Sequence, residues 1–329
     1  MKTPSQTSRR GFTLIELLVA MAITTIIITV LVSVTAMALE TWNRSRAEIR
    51  AARQAKSMID TMARDFESFV SRSGNTFEWL YAKSTPPSEG PNGSLSPNAI
   101  DLIFFSAATD RYEGFAGTDE NDPDTGKPYD KHGDVSTVGY RLTYKDPIAN
   151  EDVDNYKTFV LYRKLVNPNT TFGLNNDDPP IYDPARAILG KVSIKAPFEA
   201  ADGEPIDKEV NFICENVYQF TVTFHVNSTV GTTIKPVAVP IGKGTKLVEE
   251  FRITGSGIQT TFSPSGTGAP TNAQLKAGRL AAAEISITVL SDFGMQQMRR
   301  RGDLTGAKLA EFIAEHSYQY SKVVQLPGS

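Results

Sequence analysis

The chain has 329 residues, of which 40% are hydrophobic and 22% are charged, an ordinary composition for a folded protein of one sizeable domain or two small ones. Its formal net charge of -3 gives no basic field of the kind that drives general nucleic-acid binding, so no nucleic acid is expected as a partner. Cys214 is the only cysteine, which excludes a disulfide within the chain.

The first predicted element is an apolar helix behind a short basic prefix. Lys2, Arg9 and Arg10 lie in the prefix, whereas residues 17–39 carry no charge. With a helical rise of about 1.5 Å per residue, this uncharged stretch would span roughly 35 Å, enough to cross a bilayer core of about 30 Å. The positive-inside rule places the prefix in the cytoplasm and the bulk of the chain outside it. We therefore expect a single-pass membrane protein whose bulk faces the periplasm or the exterior.

Two export signals are alternatives for this segment. Residues 36–38, with the sequence AMA, have the small-x-small form of a signal-peptidase site and would give an exported enzyme that starts at Leu39. However, the apolar stretch is longer than a signal peptide needs, and it contains Glu16 near its start. Residues 8–12, with the sequence SRRGF, fit the opening of a twin-arginine signal, but the following stretch is apolar enough to remain in the membrane.

A third interpretation accounts for more of these residues. Residues 9–20, with the sequence RRGFTLIELLVA, closely resemble the processing site of type IV prepilins and type II secretion pseudopilins. This resemblance implies that a prepilin peptidase cuts the chain between Gly11 and Phe12 on the cytoplasmic side. It also implies that the same enzyme then methylates the new amino group of Phe12.

Glu16 is an acidic residue at the edge of the apolar helix. A carboxylate inside a membrane helix costs on the order of 2.5–3.5 kcal/mol unless a partner compensates it. After cleavage Glu16 would lie in the first helical turn, where the positive end of the helix dipole favours a negative charge. The resemblance implies that Glu16 pairs with the Phe12 amine of a neighbouring subunit and sets the axial register during assembly. The alternative is that its side chain only reaches the lipid headgroups.

The helix is predicted to continue beyond the membrane as an amphipathic segment. Apolar residues recur there at three- and four-residue steps, with charged residues such as Asp65 between them: Ile59, Met62, Phe66 and Phe69. This stripe is expected to pack against the chain's own head, and one helix over residues 13–70 would be about 85 Å long. Four regions are predicted: a cleaved leader (1–11), a membrane or filament-core helix (12–39), its amphipathic extension (40–70) and a periplasmic β-rich head (71–329).

The head is predicted to be built from strands. Three segments alternate apolar and polar residues and two are more continuously apolar: 138–144, 220–226 and 284–289, then 102–105 and 159–162. No regular helix separates these strands, which favours a one-sided antiparallel sheet over a parallel one. The predicted fold class is α+β, with a long N-terminal helix packed on a predominantly antiparallel β-sheet head that has long loops.

Polar insertions separate the strands, and the C-terminal region returns to regular structure. Segments rich in Gly, Pro, Asn, Asp, Ser or Thr are predicted as loops: 86–97, 110–134, 167–184 and 255–278. A short helix is predicted over Ala307–Glu315, followed by a last strand over Tyr318–Leu326.

The order of the segments also resembles J-type minor pseudopilins, which carry the same leader, a long helix and then antiparallel sheets. The residues that carry this second resemblance lie on the helix and on the predicted strands: 62–66 (MARDF), 138–142 (VGYRL), 161–163 (LYR), 217–222 (VYQFTV) and 285–287 (ISI). A minor subunit is favoured over a major one, because many copies of so large a head would pack poorly in a thin filament.

The sequence does not predict an enzyme. None of the three histidines, His132, His225 and His316, lies near a motif that would make a serine or Cys214 a nucleophile. Cys214 precedes a strand-like run and is expected to be a small buried side chain. His225 lies on the polar side of its alternating segment and is expected to be exposed.

An acidic loop provides the one candidate cofactor site. Asp119, Asp122 and Asp124 have the oxygen ligands that Ca²⁺ prefers, although their spacing does not follow the EF-hand pattern. An acidic surface loop that only contacts solvent is the alternative, and no other cofactor is expected.

Together these features predict a minor pilin or pseudopilin that helps to initiate or cap a type II secretion pseudopilus or a type IV pilus. Its expected partners are prepilin peptidase, other pilins or pseudopilins, and lipid of the inner membrane. The alternative function is a surface-displayed binding module that is anchored by a pilin helix and holds a secreted substrate, DNA or a surface with its loops.

Overall fold

The computed structural model describes residues 13–74, 77–107, 135–148, 156–166, 194, 198, 205–243, 247–266 and 268–327. The chain divides into two compact units, Met1–Arg50 and Ala51–Ser329. The predicted regional boundaries at residues 11, 39 and 70 remain predictions.

Helix α1 extends over Leu14–Glu67. It is uninterrupted because no glycine or proline occurs between Phe12 and Val70, and these are the two residues that most disfavour a helix interior. It ends before the predicted position, because Phe69 pairs with Ser106 and the Val70 N–H donates to the Phe105 carbonyl oxygen at 2.9 Å. The backbone after Glu67 thus exchanges helical hydrogen bonds for sheet-like ones.

The head contains two antiparallel sheets among the described residues. The strands are β1 (Glu78–Ser84), β2 (Ile100–Ser106), β3 (Ser136–Lys145), β4 (Thr158–Val166), β5 (Phe212–Glu215), β6 (Val217–Val230), β7 (Thr233–Pro240), β8 (Glu250–Thr254), β9 (Gly257–Thr260), β10 (Arg279–Leu290) and β11 (Ser317–Gln325). The seven-stranded sheet has the order β5-β4-β3-β2-β1-β8-β9, and the four-stranded sheet has the order β11-β10-β6-β7. The predicted α+β fold class is confirmed.

Three further helices follow the first nine strands in the described chain: α2 (Asn272–Lys276), α3 (Asp292–Arg300) and α4 (Gly306–His316). The prediction of a helix over Ala307–Glu315 and a last strand over Tyr318–Leu326 is confirmed by α4 and β11. The strands predicted from residues 102–105, 138–144, 159–162, 220–226 and 284–289 are confirmed by β2, β3, β4, β6 and β10.

The C-terminal part of α1, residues 51–67, packs on the head as the apolar stripe predicted. Ile59, Met62 and Phe66 are buried, and the Phe66 ring stacks on Phe104 of β2 at 4.4 Å between centroids. Phe66 also contacts Phe224 of β6 edge-on at 6.5 Å, so one side chain of α1 touches strands of both sheets. Aromatic pairs of this kind are worth about 0.5–1.5 kcal/mol beyond the area that they bury.

Asp65 does not lie on a solvent-exposed face, contrary to the amphipathic prediction. Its side chain is completely buried, and Arg163 of β4 donates to it through Nε at 2.8 Å and Nη2 at 3.0 Å. The Tyr140 hydroxyl of β3 donates to the same carboxylate. A buried charge is tolerated when it is paired and hydrogen-bonded, so this cluster compensates the desolvation of Asp65 and fixes α1 to two strands.

The prediction of a one-sided sheet is wrong for the central strands. The described residues of β2 are buried along its whole length, and only one residue of β1 is even partly exposed. One face of β2 contacts α1 through Phe104, whereas Phe105 on the other face packs against Trp79 at 5.4 Å between ring centroids. Both faces of β2 are therefore buried.

The prediction of a continuous loop over residues 255–278 is also wrong. Strand β9 lies in it because Ile258 pairs with Ile253 of β8 and is buried. Helix α2 lies in it because Thr271 forms a capping box, in which its side chain accepts from the Gln274 N–H while the Gln274 side chain accepts from the Thr271 N–H. A Thr-x-x-Gln sequence is a recognised helix start, so the start of α2 could have been predicted from the sequence.

Candidate processing and assembly site

Thr13 and Glu16 form a capping box at the start of α1. The Thr13 N–H and the Thr13 hydroxyl both donate to Oε2 of Glu16 at 2.9 Å, and the Glu16 N–H contacts Oγ1 of Thr13 at 3.3 Å. Backbone N–H groups in the first turn of a helix have no partner within the helix, so this reciprocal arrangement satisfies two of them. Thr13 therefore sets the point at which α1 begins.

The capping box gives Glu16 a local partner that the sequence analysis missed. The signal was present, because Thr-x-x-Glu directly before an apolar run is the sequence pattern of a capping box. The carboxylate is held by two donors of its own chain and lies at the positive end of the helix dipole. Both effects lower the cost of a negative charge at the end of an apolar helix.

The N-terminal part of α1 is exposed on all sides. Every residue from Thr13 to Arg46 is exposed, and the large apolar side chains from Leu14 to Leu39 are between about half and four-fifths accessible. A helix that is apolar all round must be buried in a membrane or in protein. In the part of the chain that the structure describes, α1 is the one helix long and apolar enough to cross a membrane.

The hydroxyl groups in this apolar stretch are satisfied within the helix. Each of them donates to the carbonyl oxygen four residues earlier, at distances of 2.8–3.0 Å: Thr24, Thr25, Thr29, Ser33, Thr35 and Thr41. A polar group without a partner is costly in hydrocarbon, so these bonds make the hydroxyls compatible with a lipid or filament interior. The threonine and serine residues between positions 17 and 39 are therefore compatible with a helix that lies in a membrane.

Other predicted site residues lie outside the described residues. They are the two processing residues, the three acidic loop residues and one histidine: Gly11, Phe12, Asp119, Asp122, Asp124 and His132. Cleavage after Gly11 and calcium binding by the acidic loop therefore remain predictions. Among the residues that are described, no group of three or more His, Cys, Asp and Glu side chains could hold a metal ion.

Cys214 and His225 lie in the sheets. Cys214 is buried, as expected, and burial together with the neighbouring Glu215 carboxylate raises the pKa of its thiol to about 12. A thiol with so high a pKa stays protonated at neutral pH and is a poor nucleophile. His225 is half-buried rather than fully exposed, and its Nε2 lies 3.7 Å from Oε2 of Glu284 on β10.

Comparison with known protein families gives a match at the N-terminus of the chain. Residues 6–32 match the family described as the prokaryotic N-terminal methylation motif. No curated protein and no solved structure gives a match. The matched segment contains Gly11, Phe12, the capping box and residues 14–32 of the exposed apolar helix. The chain thus carries a prepilin-type N-terminal motif on a helix that is long and apolar enough to cross a membrane, which supports a pilin or pseudopilin subunit of the type IV pilin family.

Proposed function

We propose that the chain is a minor pilin or pseudopilin, which residues 12–39 anchor in the inner membrane with its head in the periplasm. In this function it helps to initiate or cap a type II secretion pseudopilus or a type IV pilus. One observation carries the proposal: the methylation motif of residues 6–32 runs directly into a helix that is apolar on every side and capped by Thr13 and Glu16. Such a helix needs lipid before assembly and neighbouring helices after it.

Processing would turn this N-terminus into an assembly surface. Prepilin peptidase would hydrolyse the peptide bond between Gly11 and Phe12 and methylate the freed amine of Phe12. Because the capping box involves only Thr13 and Glu16, it needs nothing from the removed leader. The mature helix would keep its start and its oriented carboxylate.

Glu16 would then bind the amine of a neighbouring subunit. Both hydrogen bonds from Thr13 end at Oε2 of Glu16, so Oε1 can accept the Phe12 amine of the next subunit while the cap stays formed. A charge-assisted bond in an apolar filament core is stronger than one in water, because the local dielectric is low. This pair would set the axial register of one subunit against the next.

The size of the head supports a minor role. Two sheets with eleven strands in the described part, separated by long polar insertions, make a head too large for dense packing along a thin filament. The J-type assignment is a narrower form of this proposal and rests on the sequence resemblance alone. The alternative, a pilin-anchored binding module, differs in its partner rather than in its anchor.

The mature N-terminus tests the proposal most directly. Mass spectrometry of the native protein should find N-methylated Phe12 as the first residue, and deletion of the prepilin peptidase should leave the leader attached. A native chain that retains residues 1–11 in the presence of the peptidase, or one that starts at Leu39, contradicts it. Co-purification after mild crosslinking separates the two functions, since other minor pilins are expected under the first and a cargo under the second.

Two variants of Glu16 separate its charge from its capping role. Glu16→Gln keeps a capping box, because glutamine is accepted at this position, but it removes the negative charge. Glu16→Ala removes both. We expect both variants to be cleaved normally and both to be lost from the assembled filament fraction. If Glu16→Gln assembles as well as the parent, the intersubunit pair is not the reason for this residue.

A further inference from the structure

The edges of the two sheets are not equivalent. In the described chain the edge strands are β5 and β9 of one sheet and β7 and β11 of the other. An edge strand presents an unpaired row of N–H and C=O groups, and proteins usually protect it by shortness, proline or charge. Strands β5 and β9 have four residues each, so they offer little to pair with.

Strand β7 is protected by two prolines. The Ile241 N–H donates to the Val222 carbonyl oxygen of β6 at 3.1 Å, so the odd-numbered residues at this end of β7 direct their hydrogen bonds towards β6. Pro236 and Pro240 are even-numbered, and their missing N–H groups therefore fall on the outer edge. In addition, the outward carbonyl oxygen of Pro240 is already occupied by the Val248 N–H at 2.9 Å. A further strand cannot extend the sheet there.

Strand β11 has none of these protections. It has nine residues and contains no proline or glycine. At its two ends the Leu326 N–H donates to Ala281 and the Ser291 N–H donates to the His316 carbonyl oxygen, both at 2.9 Å, so the even-numbered residues face β10. The outward row consists of the backbone groups of the odd-numbered residues, apart from the Ser317 N–H, which donates to the Ile313 carbonyl oxygen: Ser317, Gln319, Ser321, Val323 and Gln325.

Charge does not protect this edge either. Lys322 is the one charged residue of β11, and its Nζ is bound to Oδ1 of Asp60 on α1 at 2.8 Å. The odd-numbered side chains are uncharged, and Val323 is 54% exposed. Only an extended backbone presents N–H and C=O groups at the spacing that matches the outward row.

We propose that the outer edge of β11 is a docking site for one extended strand of a second, different protein, which adds to the four-stranded sheet. The incoming strand would complete the burial of Tyr318 and Tyr320, which are partly exposed beside the core. Backbone hydrogen bonds would supply the affinity, and the side chains next to these two tyrosines would supply the specificity.

The side chains of β10 that pair with β11 indicate which residues fit next to this strand. On the face that carries the tyrosines, Val289 lies opposite Tyr318, Ile287 lies opposite Tyr320, and both aliphatic side chains are buried. On the other face Thr288, Ser286 and Glu284 lie opposite Gln319, Ser321 and Val323. The partner strand should likewise alternate β-branched aliphatic residues with polar ones.

A second copy of the chain fits this edge less well. On the face where β10 places Val289 and Ile287 beside the two tyrosines, a second β11 would place its own Tyr318, Tyr320 and Lys322. Those side chains are not β-branched aliphatic residues, and Lys322 would bring a charge to this face.

A peptide with the sequence of β10 is a suitable probe. Residues 282–290 with a lysine added at each end would be mixed with the full chain in detergent micelles, and amide hydrogen exchange would be followed residue by residue. We expect exchange of the outward amides of Gln319, Ser321 and Val323 to slow by about tenfold at saturation, because a hydrogen-bonded amide must open before it exchanges. A peptide of the same composition in scrambled order should have no effect.

Proline at an outward position tests the edge without removing a bond to β10. Ser321→Pro should abolish the peptide effect while the amides of Tyr320 and Lys322 remain protected by β10, and Ser321→Ala should behave as the parent. If Ser321→Pro does not fold, the pair Gln319→Lys and Val323→Lys adds charge to the edge without a backbone constraint. Unchanged peptide protection in a folded edge variant, or no protection in the parent, overturns the docking site.

The identity of the partner is tested in cells. A photocrosslinking residue at Val323, with Ile234 on β7 as the matched control position, should join β11 to an extended segment of a different protein, and Ser321→Pro should abolish the product. A product made of two copies of this chain, or protection of the edge amides that rises with protein concentration alone, overturns the assignment to a different protein.

Discussion

Removal of the Arg163 guanidinium should destabilise the head more than any surface change. Asp65 is fully buried and receives hydrogen bonds of 2.8 and 3.0 Å from Arg163, whose side chain is only 17% exposed. Arg163→Met keeps most of the side-chain length but removes both of these hydrogen bonds from the buried carboxylate. Breaking a buried pair in this way costs about 3–5 kcal/mol, a large part of the about 5–15 kcal/mol that holds a typical domain together.

A double variant tests whether the loss of stability comes from the unpaired buried charge of Asp65. When Asp65→Leu is combined with Arg163→Met, no charge of this cluster is left, and replacing both partners of a buried pair by apolar residues is often neutral or better. We therefore expect the double variant to be more stable than Arg163→Met alone, although it contains one more substitution. A simple sum of two destabilising changes would give the opposite order.

The assay follows Trp79, which is buried against Phe105, during urea unfolding of the full chain in detergent micelles. Trp42 is exposed and is replaced by phenylalanine throughout, so that the fluorescence signal reports the head. The reasoning fails if Arg163→Met lies within about 1 kcal/mol of the parent, or if the double variant loses the sum of the single losses.

Three further predictions use the same unfolding assay or a chemical probe. Phe66→Ala should cost about 3–5 kcal/mol, because it removes a completely buried ring that stacks on Phe104, whereas Phe66→Leu should cost less. Gly139→Val should destabilise the head, because a Cβ atom at this position would lie 2.5 Å from the Phe198 ring. Cys214 should resist a thiol reagent at pH 8 in the folded chain and react after urea unfolding, because its pKa of about 12 keeps the buried thiol protonated and unfolding restores an ordinary value.

Two of these predictions have a control variant, and the third has an outcome that would contradict it. Phe293 on α3 is 55% exposed, so Phe293→Ala should change stability by no more than about 0.5 kcal/mol. Gly139→Ala adds only the Cβ atom and should cost less than the valine variant. Rapid labelling of Cys214 in urea-free buffer would show that the thiol is accessible and would contradict its burial.

Local patterns accounted for the parts of the fold that depend on a single segment. Strand β6 alternates buried and half-buried residues along most of its length and was predicted because such alternation needs no knowledge of neighbouring strands. Strand β1 was missed because it is buried on both faces and shows no alternation. Strand β7 was missed because it contains two prolines, which are compatible only with an edge, and sequence alone does not identify edges.

The candidate sites also include one that a local sequence pattern predicts and one that depends on contacts between distant segments. The capping box of Thr13 and Glu16 joins residues three positions apart and could have been predicted. The ion pair of Asp65 joins residues 98 positions apart, so only the packing of α1 on β4 brings Arg163 to it. A charged residue between apolar helix positions is ordinarily exposed, and the amphipathic pattern gave no reason to expect a buried partner.

One helix meets two different surroundings, and the sequence changes where they change. From Leu14 to Leu39 the apolar residues surround the helix on every side, and Glu16 at its capped start is the one charged residue. From Ala51 to Phe66 the buried residues follow three- and four-residue steps, because only one face of the helix lies against the head. The residues between these two stretches include charged side chains that are exposed to solvent, such as Arg44 and Glu48. A surrounding that is apolar on every side and a head that covers one face require different patterns, and in this helix an exposed segment that contains charged residues separates the two.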